Sequence, residues 1–327
     1  MNILLITNMY PCADALTYGI FVKEQENAIC KEYPNVHYTV EFIDGRYNKS
    51  EYIKSIFKIR KLIKEQHFDL IHIHYGFSGL FLLLGKLPKR IPIIITLHGG
   101  DIQEEQGKNI QVWFTKQILK RANVAITLNN RMDEITKKYI KRTQIIPCSV
   151  NTDIFTPSLA PKTINFEKEI HILFPSDRNR SVKNYPLFLE TISILKNKYK
   201  IKCKTSEVKN MSRIEVVTLY QNADLMIMTS ISEGSPQVVK EAMACNLPVI
   251  STNVGDVTNL LENVKNSAVS NKMEAEELAF LAYQAINNQI KGINGRDKIF
   301  QMQLNDQAIA QKIYNLYTSL LSNHQIR

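Results

Sequence analysis

The chain contains no Cys-x-x-Cys pair, and its five cysteines are an odd number. That argues against a disulfide framework or a cysteine-rich zinc module, and points to a reducing, cytoplasmic setting. No apolar run approaches the roughly 20 residues of a membrane-spanning helix; the most apolar, Phe77–Leu84, is far shorter. The opening Met1-Asn-Ile-Leu-Leu-Ile-Thr has no basic leader and reads as a strand, not a secretory signal. Internal repeats and low-complexity tracts are absent. A net charge of +10 comes without any nucleic-acid-binding motif. Together these absences predict a cytoplasmic protein that does not cross a membrane and does not bind nucleic acid.

What is present is the composition of an ordinary globular protein, 44% hydrophobic and 22% charged. At 327 residues the chain is long for one core and fits two domains of about 150 residues each. In the first, 1–150, β-rich runs are predicted at Ile3–Thr7, His37–Ile43, Leu70–Tyr75, Ile91–His98, Val124–Leu128 and Gln144–Pro147. They alternate with predicted helices at Phe21–Glu32, Glu51–Glu65, Ser78–Lys86, Val112–Arg121 and Arg131–Lys141. Such alternation predicts an α/β, doubly wound parallel sheet covered on both faces. The pattern breaks over 151–168, which holds two prolines and reads as a linker.

Alternation resumes over 169–305. Strands are predicted at Ile170–Pro175, near Ile201–Lys204, at Leu225–Thr229 and at Val249–Thr252. The matching helices are Pro186–Tyr199, Arg213–Asn222, Pro236–Cys245 and Glu274–Gln289, and a last helix starts at Asp306 within 306–327. Two open sheets of this kind place ligands in the cleft beyond the carboxyl ends of their strands.

The densest chemistry lies in Ser232-Glu-Gly-Ser-Pro-Gln-Val-Val-Lys-Glu241, where Glu233 and Glu241 flank a predicted helix start. Ser235 reads as the N-cap and Pro236 as the first helical residue. The free N–H groups within 234–238, all but that of Pro236, then make an anion site. Two acceptors for sugar hydroxyls beside a phosphate-binding helix end suit a nucleotide sugar. Complementarity to the helix dipole also accounts for Glu233, but not for Glu241, which lies beyond the first turn.

This segment resembles the Glu-x7-Glu motif of the retaining glycosyltransferases of family 4, which have the GT-B fold of two Rossmann-like domains facing across a cleft. Thr96-Leu-His-Gly-Gly-Asp101 resembles the family's His-Gly element, and Arg178 with Lys183 resembles its diphosphate-binding pair. The wording around Glu233 is similar to members that build bacterial surface polysaccharides, and the likeness spans roughly residues 3 to 256. The resemblance implies that His98 meets the transferred sugar near the reacting centre. Glu233 would bind the sugar's hydroxyls, with the amides of Gly234 and Ser235 nearby, and Glu241 would accept from both ribose hydroxyls. Arg178 and Lys183 would hold the donor diphosphate, helped by Gly19, where a missing side chain allows close backbone approach. Asp101 would orient either the acceptor or its own loop.

Fixed cations of this kind stabilise the charge that develops on a departing diphosphate. The chain has no Asp-x-Asp pair, so the resemblance implies metal-independent chemistry without a cofactor. The implied reaction moves a sugar, with retention, from a nucleoside diphosphate sugar (UDP first) to a growing, lipid-linked surface polysaccharide. The last helix would pack back toward the first domain.

Other readings stand beside these. Gly19 is also explained as a turn glycine; His72 and His74, which with His98 could suggest a metal site, are also explained as packed strand-end histidines; and Arg180 could replace Arg178. Asp177 and Asn184 stand where the family commonly has glycine, as does Ser149, and 202–213 lacks the family's glycine-rich turn. From Arg46 to Arg90 ten basic residues face three acidic ones, and the helix Glu51–Lys64 has a basic face. That face reads either as solvated or as a dock for anionic lipid at the inner membrane surface. The rival functions are a non-catalytic nucleotide- or partner-binding member of the same fold, a nucleotide-sugar epimerase and a glycan phosphorylase.

Overall fold

The computed structural model describes residues 1–87, 90–103, 109–158, 169–288 and 294–325. The chain divides into two compact units, Met1–Ser149 with Asp306–Arg327, and Val150–Asn305.

The first unit holds a parallel sheet of β1 (Asn2–Thr7), β2 (His37–Phe42), β3 (Leu70–His74), β4 (Ile93–Thr96), β5 (Val124–Thr127) and β6 (Thr143–Ile145). Their spatial order is β2-β1-β3-β4-β5-β6. Helices α1 (Ile20–Glu32), α2 (Ser50–Glu65), α3 (Asn109–Leu119) and α4 (Asn130–Thr136) connect them, with a 3-10 segment at Gly76–Leu83 between β3 and β4. Continuous apolar strands such as Ile3–Ile6, all buried, are what double coverage requires. The order of strands reverses direction at β1. Right-handed crossovers therefore place α1 on one face of the sheet, and α2, the 3-10 segment and α3 on the other.

β3 shows the consequence residue by residue. Ile71 and Ile73 pack with Ile59, Ile63, Phe81 and Ile118 in one core, while His72 and His74 point to the opposite face. There they meet α1 and the C-terminal helix, Asp306–Gln325. That helix is held to α1 by a stack of Tyr33 on Tyr314, with ring centroids 3.7 Å apart. The helix predicted at Ser78–Lys86 is instead the 3-10 segment. The segment lies tightly against α3: a Cβ on Gly76 would fall 2.2 Å from the Thr115 methyl.

The second unit has a parallel sheet of β7 (Ile170–Phe174), β8 (Cys203–Glu207), β9 (Leu225–Met228), β10 (Val249–Thr252) and β11 (Ala268–Ser270), in the order β11-β10-β9-β7-β8. Its helices are α5 (Tyr185–Asn197), α6 (Arg213–Asn222), α7 (Gln237–Ala244), α8 (Val257–Leu261), α9 (Ala275–Asn287) and α10 (Gly295–Gln301). α5 and α9 share one core with β7 and β9. The short elements β11, α8 and α10 went unpredicted. The predicted helix end at Gln289 lies outside the described residues.

The expected linker is a correction in its first part. Phe155 is fully buried, Val150 N–H donates to Leu304 O at 2.9 Å, and Arg296 donates to the carbonyls of Thr152 and Phe155 at 2.8 and 2.7 Å. Residues 151–158 are therefore a packed strap of the second unit. They have no period because they form turns, whose backbone groups are satisfied by a distant arginine. The remainder, 159–168, lies outside the described residues. No helix among the described residues is long and apolar enough to cross a membrane.

Candidate active site

In the second unit the strand order reverses between β7 and β9. At such a switch point the loops leaving the two carboxyl ends diverge and open a crevice. The loop after β7 carries Arg178 and Lys183; the loop after β9 carries Glu233, Gly234 and Ser235. The two loops are laced together by Ile231 N–H to Val182 O at 2.8 Å and by the Thr229 hydroxyl, which donates to the carbonyls of Lys183 and Asn184. This brings the Lys183 ammonium into an ion pair with Glu233, fifty residues further along. Asn184 adopts φ +50°, a left-handed conformation that asparagine tolerates far better than most residues. That explains how it stands where glycine is common.

Arg178 reaches across to Glu207, the last residue of β8, with contacts of 2.8–3.0 Å from its guanidinium. The arginine draws the Glu207 carboxyl below its usual range. Arg180 is exposed and makes no ion pair among the described residues, so the structure gives Arg178 the anchored position.

The predicted cap is a correction. Pro236, not Ser235, occupies the N-cap of α7, without a side-chain cap. Ser235 instead donates its hydroxyl to the Asp256 carboxyl group at 2.7 Å. Burial pushes the Asp256 carboxyl up. Glu241 lies in the second turn of α7 and is buried. One of its oxygens accepts from Arg213 at 2.9 Å and the other from the Tyr220 hydroxyl at 3.1 Å. The Arg213 guanidinium also lies 4.5 Å over the Phe155 ring.

In the first unit His98 follows β4 and is partly exposed. Its Nε2 lies 3.2 Å from His74 Nδ1, and its ring packs against Phe21 at 4.9 Å. His74 Nε2 is in turn 3.3 Å from Gln25 Nε2. His72 bridges Thr96 and Tyr317, each at 2.7 Å.

Asp101 is fully buried, and its carboxylate accepts from the backbone amides of Gly76, His98 and Gly99 at 2.9–3.0 Å. The structure thus favours the loop-orienting alternative for Asp101, which ties the His98 turn to the end of β3, over its predicted place on the acceptor side. Gly19 caps α1 at φ +63°, and a Cβ there would sit 2.2 Å from the Met9 carbonyl carbon. The approach that demands this glycine is made by the chain itself. Among the described residues no group of three or more His, Cys, Asp or Glu side chains is placed to hold a metal ion.

Five hydrogen-bond partners of these side chains are absent from the sequence expectations: Glu207, Arg213, Tyr220, Asp256 and Gln25. Only Arg213 carried a local signal, as the first residue after the N-cap of the Ser212/Glu215 capping box.

Burial lowers the pKa of His72 and His98 to about 3 and that of His74 well below its usual value. The unfolded chain takes up these protons below about pH 6.5, while the folded chain does not. Their contribution to stability is therefore full above pH 6.5 and is lost as pH falls toward 3, at about 1.4 kcal/mol per unit for each group. Asp101, raised to about 6 by burial, and Asp256, also raised by burial, act in the opposite sense, and three histidines outweigh two carboxyls. The melting temperature of the protein is expected to fall steadily from pH 7 to pH 5 in a calorimetric series; a flat profile would contradict burial of the histidines in neutral form.

Comparison with known proteins gives the family and the fold. Residues 17–154 match the family described as Glycosyltransferase Family 4, and 189–299 match Glycosyl transferases group 1. An uncharacterized glycosyltransferase of Methanocaldococcus jannaschii is 26% identical over 308 residues, covering 86% of this chain and 83% of that protein. The N,N'-diacetylbacillosaminyl-diphospho-undecaprenol alpha-1,3-N-acetylgalactosaminyltransferase of Campylobacter jejuni is 24% identical over 324 residues, covering 86% and 85%. The crystal structure of Anabaena HepE in complex with UDP is alike in fold, with a TM-score of 0.72 at 15% identity over 98% of this chain and 100% of that one. The chain belongs to the family 4 glycosyltransferases and has their GT-B fold.

Proposed function

We propose that the protein is a retaining, metal-independent glycosyltransferase that moves a sugar from a nucleoside diphosphate sugar, UDP-linked in preference, to a lipid-linked surface polysaccharide. The observation that carries this reading is the meeting of Lys183 and Glu233 at the switch point of the second sheet, on the loop that leads into α7 and Glu241. In this reading Lys183 and Arg178 hold the diphosphate and Glu241 accepts from the ribose hydroxyls. Glu233, with the amides of Gly234 and Ser235, binds hydroxyls of the sugar, and His98 is the substrate-contacting side chain of the first unit.

Both cations stand on carboxylates, Glu207 and Glu233, which fix their positions before any ligand arrives. Preorganised charge of this sort costs little reorganisation as the bond to the leaving diphosphate breaks, and such electrostatic terms are usually the largest in catalysis. Arg178 offers a planar fork to phosphate oxygens and Lys183 a compact charge. The acceptor hydroxyl attacks from the face the nucleotide leaves, and a phosphate oxygen of the leaving group takes its proton. The lipid-linked acceptor is supported by the name of the Campylobacter relative, and UDP by the ligand of HepE.

The same reading places the protein at the cytoplasmic membrane surface through α2. Ile53 and Phe57 are more than 60% exposed there, beside the exposed Lys54, Lys58, Lys61 and Lys64. α3, which packs like α2 on the 3-10 segment, exposes Ile110 and Trp113. Apolar side chains among lysines are the pattern of an interfacial surface on anionic lipid.

Two measurements check these assignments. In EDTA, UDP at about 100 times its dissociation constant should add roughly 2.7 kcal/mol of stability, visible as a thermal shift that ADP and CMP do not give. Glu241→Ala should abolish it; no shift with any nucleotide, or an undiminished shift in the variant, would contradict the donor site. Trp113 is the only tryptophan, so its emission should move to the blue with anionic vesicles and not with neutral ones. Equal response to both, or none, would remove the membrane assignment.

A further inference from the structure

The mechanism above uses His98 but leaves the groups behind it without a task. β3 presents His74 to a buried layer in which every polar atom must find a partner. The contacts there form a directed series: Gln25 Nε2, His74 Nε2 at 3.3 Å, then His74 Nδ1 and His98 Nε2 at 3.2 Å. A neutral imidazole has one donor and one acceptor nitrogen, and an amide nitrogen only donates. With the Gln25 amide nitrogen facing it, His74 Nε2 must accept, so the His74 proton lies on Nδ1. That proton is donated to His98 Nε2, which must also accept. The His98 proton is then confined to Nδ1, for which the described residues supply no partner.

We propose that Gln25 and His74 are positioning residues that fix the tautomer of His98, so that it offers substrate an N–H donor at Nδ1 and no basic nitrogen. The inference rests on the reading that His98 contacts substrate. Within it, His98 donates to a sugar oxygen and cannot accept the proton of the acceptor hydroxyl, because its remaining lone pair is held by His74. This sharpens the division of labour: proton removal stays with the departing phosphate oxygen, and His98 orients the sugar. Burial keeps all three rings neutral, which is the condition for a single tautomer to persist.

Three surroundings support the relay. The Asp101 carboxylate holds the backbone amides of His98 and Gly99, and Phe21 packs on the His98 ring, so the imidazole has a fixed seat. His72 is satisfied separately by Thr96 and Tyr317, so it does not compete for the His74 nitrogens. Gln25 comes from the buried face of α1, which keeps water from substituting for its amide.

The test is nitrogen-15 long-range correlation spectroscopy of histidine-labelled full-length protein at pH 7, without substrate. It is expected to show His98 and His74 both protonated at Nδ1. Gln25→Leu, which keeps the volume and removes the amide, should convert His98 to a mixture of tautomers, and His74→Phe should do the same. Transfer by Gln25→Leu should fall about tenfold in kcat/KM, the scale of one hydrogen bond, with UDP binding unchanged. Protonation of His98 at Nε2 in the unaltered protein would overturn the proposal, because it means that the Gln25 carbonyl, not its amide, faces His74 and the relay runs backwards. An unchanged His98 signal in Gln25→Leu would also overturn it, even if His74→Phe does not fold. Because the spectra need no turnover, failure of the transferase reading appears separately, as absence of transfer with the relay intact.

Discussion

Opposite charge meeting at the switch point of the second sheet is the constraint on which the rest of the site depends. Lys183 is largely buried, with 11% of its side chain exposed, and an ammonium removed from water without a partner is costly. Glu233 supplies that partner, and the Thr229 hydroxyl and the Ile231 amide hold the two loops so that the pair can form. Glu241 is treated in the same way by Arg213 and Tyr220. Each group that would face a nucleotide sugar therefore already has a protein partner of the kind the ligand would replace. A diphosphate can succeed Glu233 beside Lys183, and ribose hydroxyls can succeed the donors on Glu241, without moving the backbone that carries them.

The first unit solves a different problem. A parallel sheet covered on both faces normally carries apolar residues throughout, yet β3 turns two histidines toward α1 and the C-terminal helix. They are tolerated because their polar atoms are answered by Thr96, Tyr317, Gln25 and His98. The C-terminal helix is part of this arrangement, since its Tyr317 closes the layer over His72 and also meets the Tyr38 hydroxyl at 3.0 Å. The outcome is a neutral, rigid polar layer beneath His98. Asp101 completes it from the side by gathering the amides of the His98 turn.

Much of this was legible because it is local. Runs such as Ile3–Thr7 and Leu225–Thr229 are apolar for the same reason that they are strands, namely burial on both faces, so alternation with helices revealed both sheets. The loops carrying His98, Lys183 and Glu233 were legible because each follows such a run. What could not be read is what crosses the sheet or the sequence. Ser235 has the composition of an N-cap, but a carboxylate twenty-one residues away claims its hydroxyl. Residues 151–158 look like a linker until Arg296 is seen to bind their carbonyls. Glu207, Gln25 and Asp256 sit in unremarkable local contexts, and only the fold makes them neighbours of Arg178, His74 and Ser235. Asn184 stood out as a departure from glycine, and its left-handed backbone removes the anomaly.

The measurement that tests the central claim most directly is a crystal structure of the protein grown with UDP in metal-free solution. The account predicts the diphosphate on Lys183 and Arg178, the ribose hydroxyls on Glu241, and Glu233 released from Lys183 toward the space the sugar would fill. UDP bound elsewhere, with the Lys183–Glu233 and Arg213–Glu241 pairs unchanged, would contradict it.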